Sequence, residues 1–227
     1  METRRIVVRA NGPLRVEGGI RLLRTAIVKT DRGEPTRWDE GPDFESGEIY
    51  DLCRCGVSAT KPFCDGACET TGFEGAETAD RGPIANRRAP WEGDGVVLYD
   101  DGSLCTHAGF CKNRRTTVWD LAEEAGDPEA REAFAGMVHR CPSGRLALAE
   151  ADDPDTTVEP DLEPSIGVEP DASYWVRGGI PVVSEDGVPY EVRNRQTLCR
   201  CGRSRNKPFC DGTHKPARFA DDARPAR

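Results

Sequence analysis

The sequence predicts an α+β chain that is mostly β, with two small β-rich domains of like design separated by an α+β insert. Three observations predict it. A set of four soft-metal ligands occurs twice, the strand pattern ahead of each set repeats with it, and the segment between the copies has a different character.

The C-terminal set is Cys199, Cys201, Cys210 and His214, four ligands within sixteen residues. The N-terminal set is Cys53, Cys55, Cys64 and Cys68, with the first three spaced identically and the fourth changed from histidine to cysteine. Core packing gives no reason to repeat a ligand set, so the chain reads as a metalloprotein. A shift of 160 residues lays Ile6, Val8, Val16, Gly18, Gly19 and Ile20 on Ile166, Val168, Val176, Gly178, Gly179 and Ile180, and a shift of 146 lays residues 52–56 on 198–202. The repeated unit is therefore a whole domain of strands plus ligand loop. The first copy holds fourteen extra residues ahead of its ligands, an insertion of the kind loops accept.

Along the chain, residues 4–28 read as strands, because β-prone Ile6, Val7, Val8, Leu14, Val16, Leu22, Leu23, Ile27 and Val28 partly alternate between turn signals at Asn11-Gly12-Pro13 and Gly18-Gly19. Residues 31–47 are polar and rich in Gly and Pro, and are expected to form a loop. In the middle segment Gly95-Val96-Val97-Leu98-Tyr99 reads as a strand, and Val118 opens a short helix that Gly126 ends. Asp127-Pro128-Glu129 is a helix start, with a capping acid and proline at the first position. Ala130, Phe134, Met137 and Val138 then make an apolar stripe expected to face a core rather than a site. The acidic, Pro-containing stretch 150–164 is expected to be a solvated linker. The resulting domains are 1–83, 84–149 and 165–220, with that linker between the last two and a frayed tail at 221–227.

Composition narrows the function. The net charge is -9, which speaks against nucleic acid as a partner because phosphate binding needs a basic face. Mean hydropathy is -0.62, so the cores are small and want a staple. Residues 1–6 lack the apolar run of a secretory signal, and no apolar segment of 18 residues occurs, so the expectation is a cytoplasmic chain with no membrane partner. Ten cysteines in a reducing compartment point to metal or redox chemistry rather than disulfides.

In each CxC pair the two side chains leave an extended backbone on the same side, so both thiolates can grip one metal. Cys210 and His214 stand at i and i+4, neighbours on one face of a helical turn that Asp211 can cap. Ligands divided two and two suit a 2Fe–2S rhomb, although Cys₃His and Cys₄ are also ordinary structural zinc sets. Arg200, Arg203, Arg205, Lys207 and Lys215 crowd the second set, against Arg54 and Lys61 at the first. They read either as charge compensation for an anionic cluster or as a docking patch.

Both copies resemble the CDGSH iron–sulfur domain of the mitoNEET family, whose pattern is CxCxx(S/T)xxxPxCDG(S/A/T)H. The C-terminal copy meets it at Cys199, Cys201, Ser204, Pro208, Cys210, Asp211, Gly212, Thr213 and His214; the N-terminal copy departs only at Cys68. The resemblance implies a 2Fe–2S cluster at each site and two domains packed as a pair, here an internal pseudo-dimer within a monomer. The middle segment resembles single-cluster bacterial ferredoxins, with Cys105 and Cys111 in the outer places of CxxCxxC, Ala108 where the middle cysteine would be, and Cys141 before proline. That pattern implies a 3Fe–4S cluster. The segment also resembles the divergent single-cluster 4Fe–4S family with CxHxGxC and CPSG, in which case His107 completes a 4Fe–4S site; otherwise His107 donates a hydrogen bond to a ligating sulfur. His139 is expected to ligate nothing.

The function expected is one-electron transfer to or from a redox partner protein, and no catalysis of substrate chemistry. No Ser/His/Asp or Cys/His set is left over once the cluster ligands are removed, and no GxGxxG or P-loop motif occurs. A cluster carrier that loads an apo acceptor, a redox or pH sensor, and a structural zinc module are the alternatives. Neutral imidazole leaves a cluster less negative than thiolate does, so the His214 site should have the higher potential and receive electrons from the Cys68 site. It should also loosen in mild acid as the imidazole protonates.

Overall fold

The computed structural model describes residues 4–221. In the first copy, strands β1 (Arg5–Val8) and β2 (Leu14–Glu17) form a hairpin, and β5 (Ile49–Leu52) pairs antiparallel with β2. In the second, β10 (Ser165–Val168), β11 (Tyr174–Arg177) and β13 (Arg195–Leu198) repeat that arrangement. The remaining strand of each repeat crosses over. β3 (Arg21–Lys29) pairs in parallel with β10, and β12 (Val182–Ser184) pairs in parallel with β1. Each half thus completes the other's sheet, giving the orders β12-β1-β2-β5 and β13-β11-β10-β3-β4. Their inward residues share one core, with Ile6, Leu14, Leu22, Ile166, Tyr174 and Leu198 among its most buried members.

Two expectations of irregular chain give way to strands. Pro35–Asp43 is β4, antiparallel to β3 at the sheet edge, and Asp153–Val158 is β9, antiparallel to β8 (Leu146–Glu150). Both lie almost wholly in solvent, so neither has an apolar face to produce alternation. Their charges and prolines are what exposed edge strands carry to avoid pairing with other chains. The middle unit therefore runs on through the expected linker as far as Val158.

That unit is an antiparallel sheet, β6 (Ala89–Glu92), β7 (Val96–Asp100), β8 and β9, against two helices. The first, α1 (Val118–Glu123), begins in a capping box between Thr117 and Asp120. The second, α2 (Pro128–His139), has Asp127 accepting from the amides of Glu129 and Ala130. Phe134, Met137 and Val138 of the expected stripe are buried against Val96, Leu98, Leu121 and Leu146 in a core of its own. Among the described residues, no helix is long and apolar enough to cross a membrane.

The middle unit docks chiefly on the second half. Arg195, fully buried on β13, donates to the carbonyls of Val138 (2.6 Å), Cys141 (2.9 Å) and Leu146 (3.1 Å) and forks onto the Glu159 carboxylate. The β3–β4 hairpin, where the extra residues of the first copy lie, straps it from the other side. Trp38 stacks between Trp175 (4.5 Å between centroids) and Phe110 (5.3 Å), and its indole donates to Arg140 O. The Arg114 amide donates to Glu34. Of the expected tail, Asp221 is buried and ion-paired with Arg200; residues 222–227 lie outside the described residues.

Candidate metal centres

The two terminal sites are built alike. β5 and β13 deliver Cys53 and Cys199 at their ends, and the chain turns back so that Phe63 bridges to Leu52 and Phe209 to Leu198. Each remaining motif residue braces that turn. Ser58 and Ser204 donate to Phe63 O and Phe209 O, both at 2.7 Å. Lys61 and Lys207 donate to Ser58 O and Ser204 O. Asp65 accepts from the amides of Ala59 and Ala67, and Asp211 from those of Arg205 and Thr213. Burial works against the Asp211 carboxylate, but these hydrogen bonds outweigh it and hold its pKa below the ordinary value.

The donors stand in pairs. Cys53 Sγ is 3.5 Å from Cys55 Sγ, and Cys64 Sγ is 3.9 Å from Cys68 Sγ. In the second site Cys199 and Cys201 are 3.8 Å apart, and His214 Nδ1 is 3.4 Å from Cys210 Sγ. Two thiolates on one tetrahedral metal at about 2.3 Å stand roughly 3.8 Å apart, so each pair is set to grip one metal. Among the described residues, no three His, Cys, Asp or Glu side chains are grouped to hold a single ion. The donors of each site thus divide two and two, the division a two-metal rhomb requires. The amides of Gly66 and Gly212 point at Cys64 and Cys210 Sγ at 3.4 Å, as suits a thiolate.

Electrostatics distinguish the two sites. All four ligands of the second are buried, whereas Cys55 and Cys64 of the first are half-exposed. Burial pushes the Cys64 thiol up to about 11 and Cys210 further still. Within the second CxC pair, their mutual hydrogen bond raises Cys199 and lowers Cys201 to about 7. Buried thiols of this kind stay protonated unless a cation supplies the compensating charge. Burial, with Lys215 and His107 adding to it, lowers His214 to about 4. The imidazole is therefore neutral and ready to ligate, because desolvation disfavours the imidazolium.

The crowd of cations divides by burial. Arg54 and Arg200 are buried and donate to backbone carbonyls, Arg54 to Gly12, Gly75 and Arg9, and Arg200 to Glu169 and Ala172. Lys61 and Lys207 are the turn braces already described, and only Arg203, Arg205 and Lys215 are exposed. Sequence reasoning also missed Tyr174, whose buried hydroxyl reaches from the second half to Cys53 O (2.8 Å) and Pro62 O (2.9 Å). A buried tyrosine needs such a partner, but nothing local in the sequence says where it lies.

In the middle unit Cys105, Cys111 and Cys141 converge on one cavity of about 420 Å³, which His107 and Arg145 also line. Their thiols are half-exposed. His107 Nδ1 is 3.7 Å from Cys105 Sγ, and its backbone takes the left-handed region at φ 58°, a costly conformation for histidine. Arg145, doubly bonded to Asp100, lies beside Cys105 and adds fixed positive charge. His139 is outside the cavity, with Nε2 3.2 Å from Val158 O.

The three sites touch in a fixed order. A β-carbon added at Gly56 would lie 2.8 Å from Cys201 O, and one at Gly202 would lie 2.5 Å from Cys55 O, so the two CxC loops meet backbone to backbone. A β-carbon at Gly212 would lie 2.4 Å from His107 Cδ2 and 2.7 Å from Cys105 O.

Comparison with known families gives two matches. The family described as iron-binding zinc finger, CDGSH type, matches residues 11–67 and 171–215. The family described as divergent 4Fe–4S mono-cluster matches residues 91–151, between them. No curated protein and no solved structure matches the chain significantly.

Proposed function

From a chain that carries two CDGSH-type segments around a divergent 4Fe–4S segment, and is thereby an iron–sulfur protein, we propose a three-cluster one-electron carrier working between a donor and an acceptor protein. The two halves act as an internal pseudo-dimer, the middle unit as a ferredoxin-like insert, and the setting as cytosolic. The observation that carries this reading is the division of eight ligands into four gripping pairs, joined to a separate three-thiol cavity.

Cys53, Cys55, Cys64 and Cys68 would hold one 2Fe–2S cluster, and Cys199, Cys201, Cys210 and His214 the other. Cys105, Cys111 and Cys141 with His107 would hold a 4Fe–4S cluster; the approach of Nδ1 to Cys105 favours this over 3Fe–4S. A bound cluster supplies uptake and release of one electron. The chain fixes the thiolates in pairs, keeps His214 neutral, excludes water from the second site, and places buried Arg54 and Arg200 near negative charge. These tasks set potential and position, and no step of substrate chemistry is assigned to any residue.

The test is iron, sulfide and zinc analysis with EPR on protein purified without oxygen. Brown protein with about eight irons per chain and three reducible centres is expected. About seven irons, with a signal already present in the oxidised protein, would identify 3Fe–4S in the middle. Colourless protein holding stoichiometric zinc would overturn the proposal in favour of a structural module, and intact passage of a cluster to an apo acceptor would make the chain a carrier.

A further inference from the structure

We infer that the His214 site is the interior relay of the three, and that external partners exchange electrons only at the Cys68 site and the middle site. The inference rests on the three-cluster reading and adds to it the order of the sites and which of them a partner can meet. It stands on contact and on burial.

Contact sets the order. The second site's loops touch both others, through Gly56 and Gly202 on one side and Gly212 on the other. The second link to the middle site runs through Arg195, which joins Cys141 O to β13 four residues before Cys199. His107 is the shared wall, lining both the middle cavity and the cleft that holds His214. Its Nδ1 edge faces Cys105, and its Cδ2–Nε2 edge lies over Gly212. Contact between the first ligand loop and the middle unit's ligands has no counterpart among these close approaches.

Burial sets the roles. The second site's four ligands are 2, 7, 2 and 3% exposed, in the order Cys199, Cys201, Cys210 and His214. The middle site's three thiols and two of the first site's are half-exposed, and His107 is exposed. A protein that docks can approach the outer two sites and is held off the inner one. With clusters bound, an electron accepted from an external one-electron donor at either outer set, Cys53/Cys55/Cys64/Cys68 or Cys105/His107/Cys111/Cys141, would pass to the Cys199/Cys201/Cys210/His214 set, oxidising the outer as it reduces the inner. It would leave by the other outer set to an external acceptor, with no bond or proton exchanged.

The test is EPR power saturation on the full-length protein, reduced stepwise with dithionite, with and without a dysprosium chelate in solution. The chelate speeds relaxation of any centre it can approach. The signals of the first and middle sites should saturate at several-fold higher power with the chelate, while the histidine-bound 2Fe–2S signal, recognised by its nitrogen modulation, stays unchanged. In fully reduced protein that signal should be split by both neighbours, losing one interaction in Cys141→Ser and the other in Cys64→Ser. Equal relaxation of all three signals by the chelate would overturn the relay, and this arm needs no variant to fold. Direct splitting between the first and middle signals in Cys210→Ser would overturn it too. Absence of any cluster signal overturns the three-cluster reading itself, a different result from either.

Discussion

Replacing Arg195 with methionine separates docking of the middle unit from assembly of the sites. The guanidinium is fully buried and satisfies three carbonyls, those of Val138, Cys141 and Leu146, besides pairing with Glu159, whose side chain is 29% exposed. Methionine keeps much of the volume but removes every donor. Each carbonyl loses a charge-assisted hydrogen bond, although Val138 O keeps the Cys141 amide (3.0 Å) and Cys141 O the Gly144 amide (3.5 Å), and with the ion pair broken as well the cost is about 3–5 kcal/mol in all. At about 2–4 °C per kcal/mol for a chain of this size, the melting temperature should fall by roughly 10 °C. The assay is thermal unfolding followed by circular dichroism, without oxygen, on the parent, Arg195→Met and Arg195→Met/Glu159→Leu. The double variant removes the stranded carboxylate but does not restore the lost carbonyl hydrogen bonds, so it should regain only part of the loss. A cost below about 1 kcal/mol for the single change, or full recovery in the double, would refute the view that Arg195 holds the two units by bridging carbonyls.

Other predictions follow from single contacts. Gly202→Ala puts a side chain at φ 75° with its β-carbon 2.5 Å from Cys55 O, a conformational cost of about 1–2 kcal/mol before the clash; iron and sulfide should be lost from both terminal sites, and loss from the second alone would contradict the shared contact. Glu169 is pushed up to about 7 by burial, with Lys215, Arg200 and Lys29 opposing, whereas the unfolded chain ionises near 4.5. Its contribution is therefore whole below about 4.5 and is lost as pH rises through 7, on the order of 3 kcal/mol; Glu169→Gln should flatten denaturation midpoints measured from pH 5 to 8. Cys68→His should raise the potential of the first site and His214→Cys lower that of the second, read by redox titration of each signal, because imidazole removes one negative charge from the cluster's surroundings.

What the sequence disclosed follows what chemistry constrains to particular residue types. Soft-metal donors are chiefly cysteine and histidine, so the side chains that pair here and the turn motif around them were legible. Strands with one buried face, such as β1, β2 and β7, announced themselves by apolar residues. The exchange of β3 and β12 between halves was not legible, because both copies carry the same pattern and pairing within or across halves buries the same residues. β4 and β9 escaped because an exposed edge strand needs no apolar face. The burial of Arg54, Arg200 and Arg195 was not legible for the opposite reason, since charge suggests surface and their guanidinium groups are buried on carbonyls.

The two terminal sites share one pattern, and the differences between them converge on a single side of the molecule. The extra residues of the first copy form the β3–β4 hairpin, and its tip reaches the loop that follows His107. Pro35 would meet a β-carbon at Gly109 at 3.3 Å, Glu34 accepts from the Arg114 amide, and Trp38 stacks on Phe110. The strap presses that loop toward the second site, where His107 lies against Gly212. The counterpart after β12, a strand of three residues, is a tight turn closed by the Ser184 amide on Val188 O and the Tyr190 amide on Val182 O, both at 2.9 Å. The fourth ligand of the first site, Cys68, sits in a 3-10 turn of its own, while His214 lies beside a neighbouring centre. A neutral imidazole at the enclosed position carries less charge to be buried than a thiolate would, and burial penalises net charge steeply. Cys68 is itself buried, but its site-mates Cys55 and Cys64 reach solvent. Burial and ligand type thus agree: the site whose four donors are all buried is the one that carries the neutral imidazole.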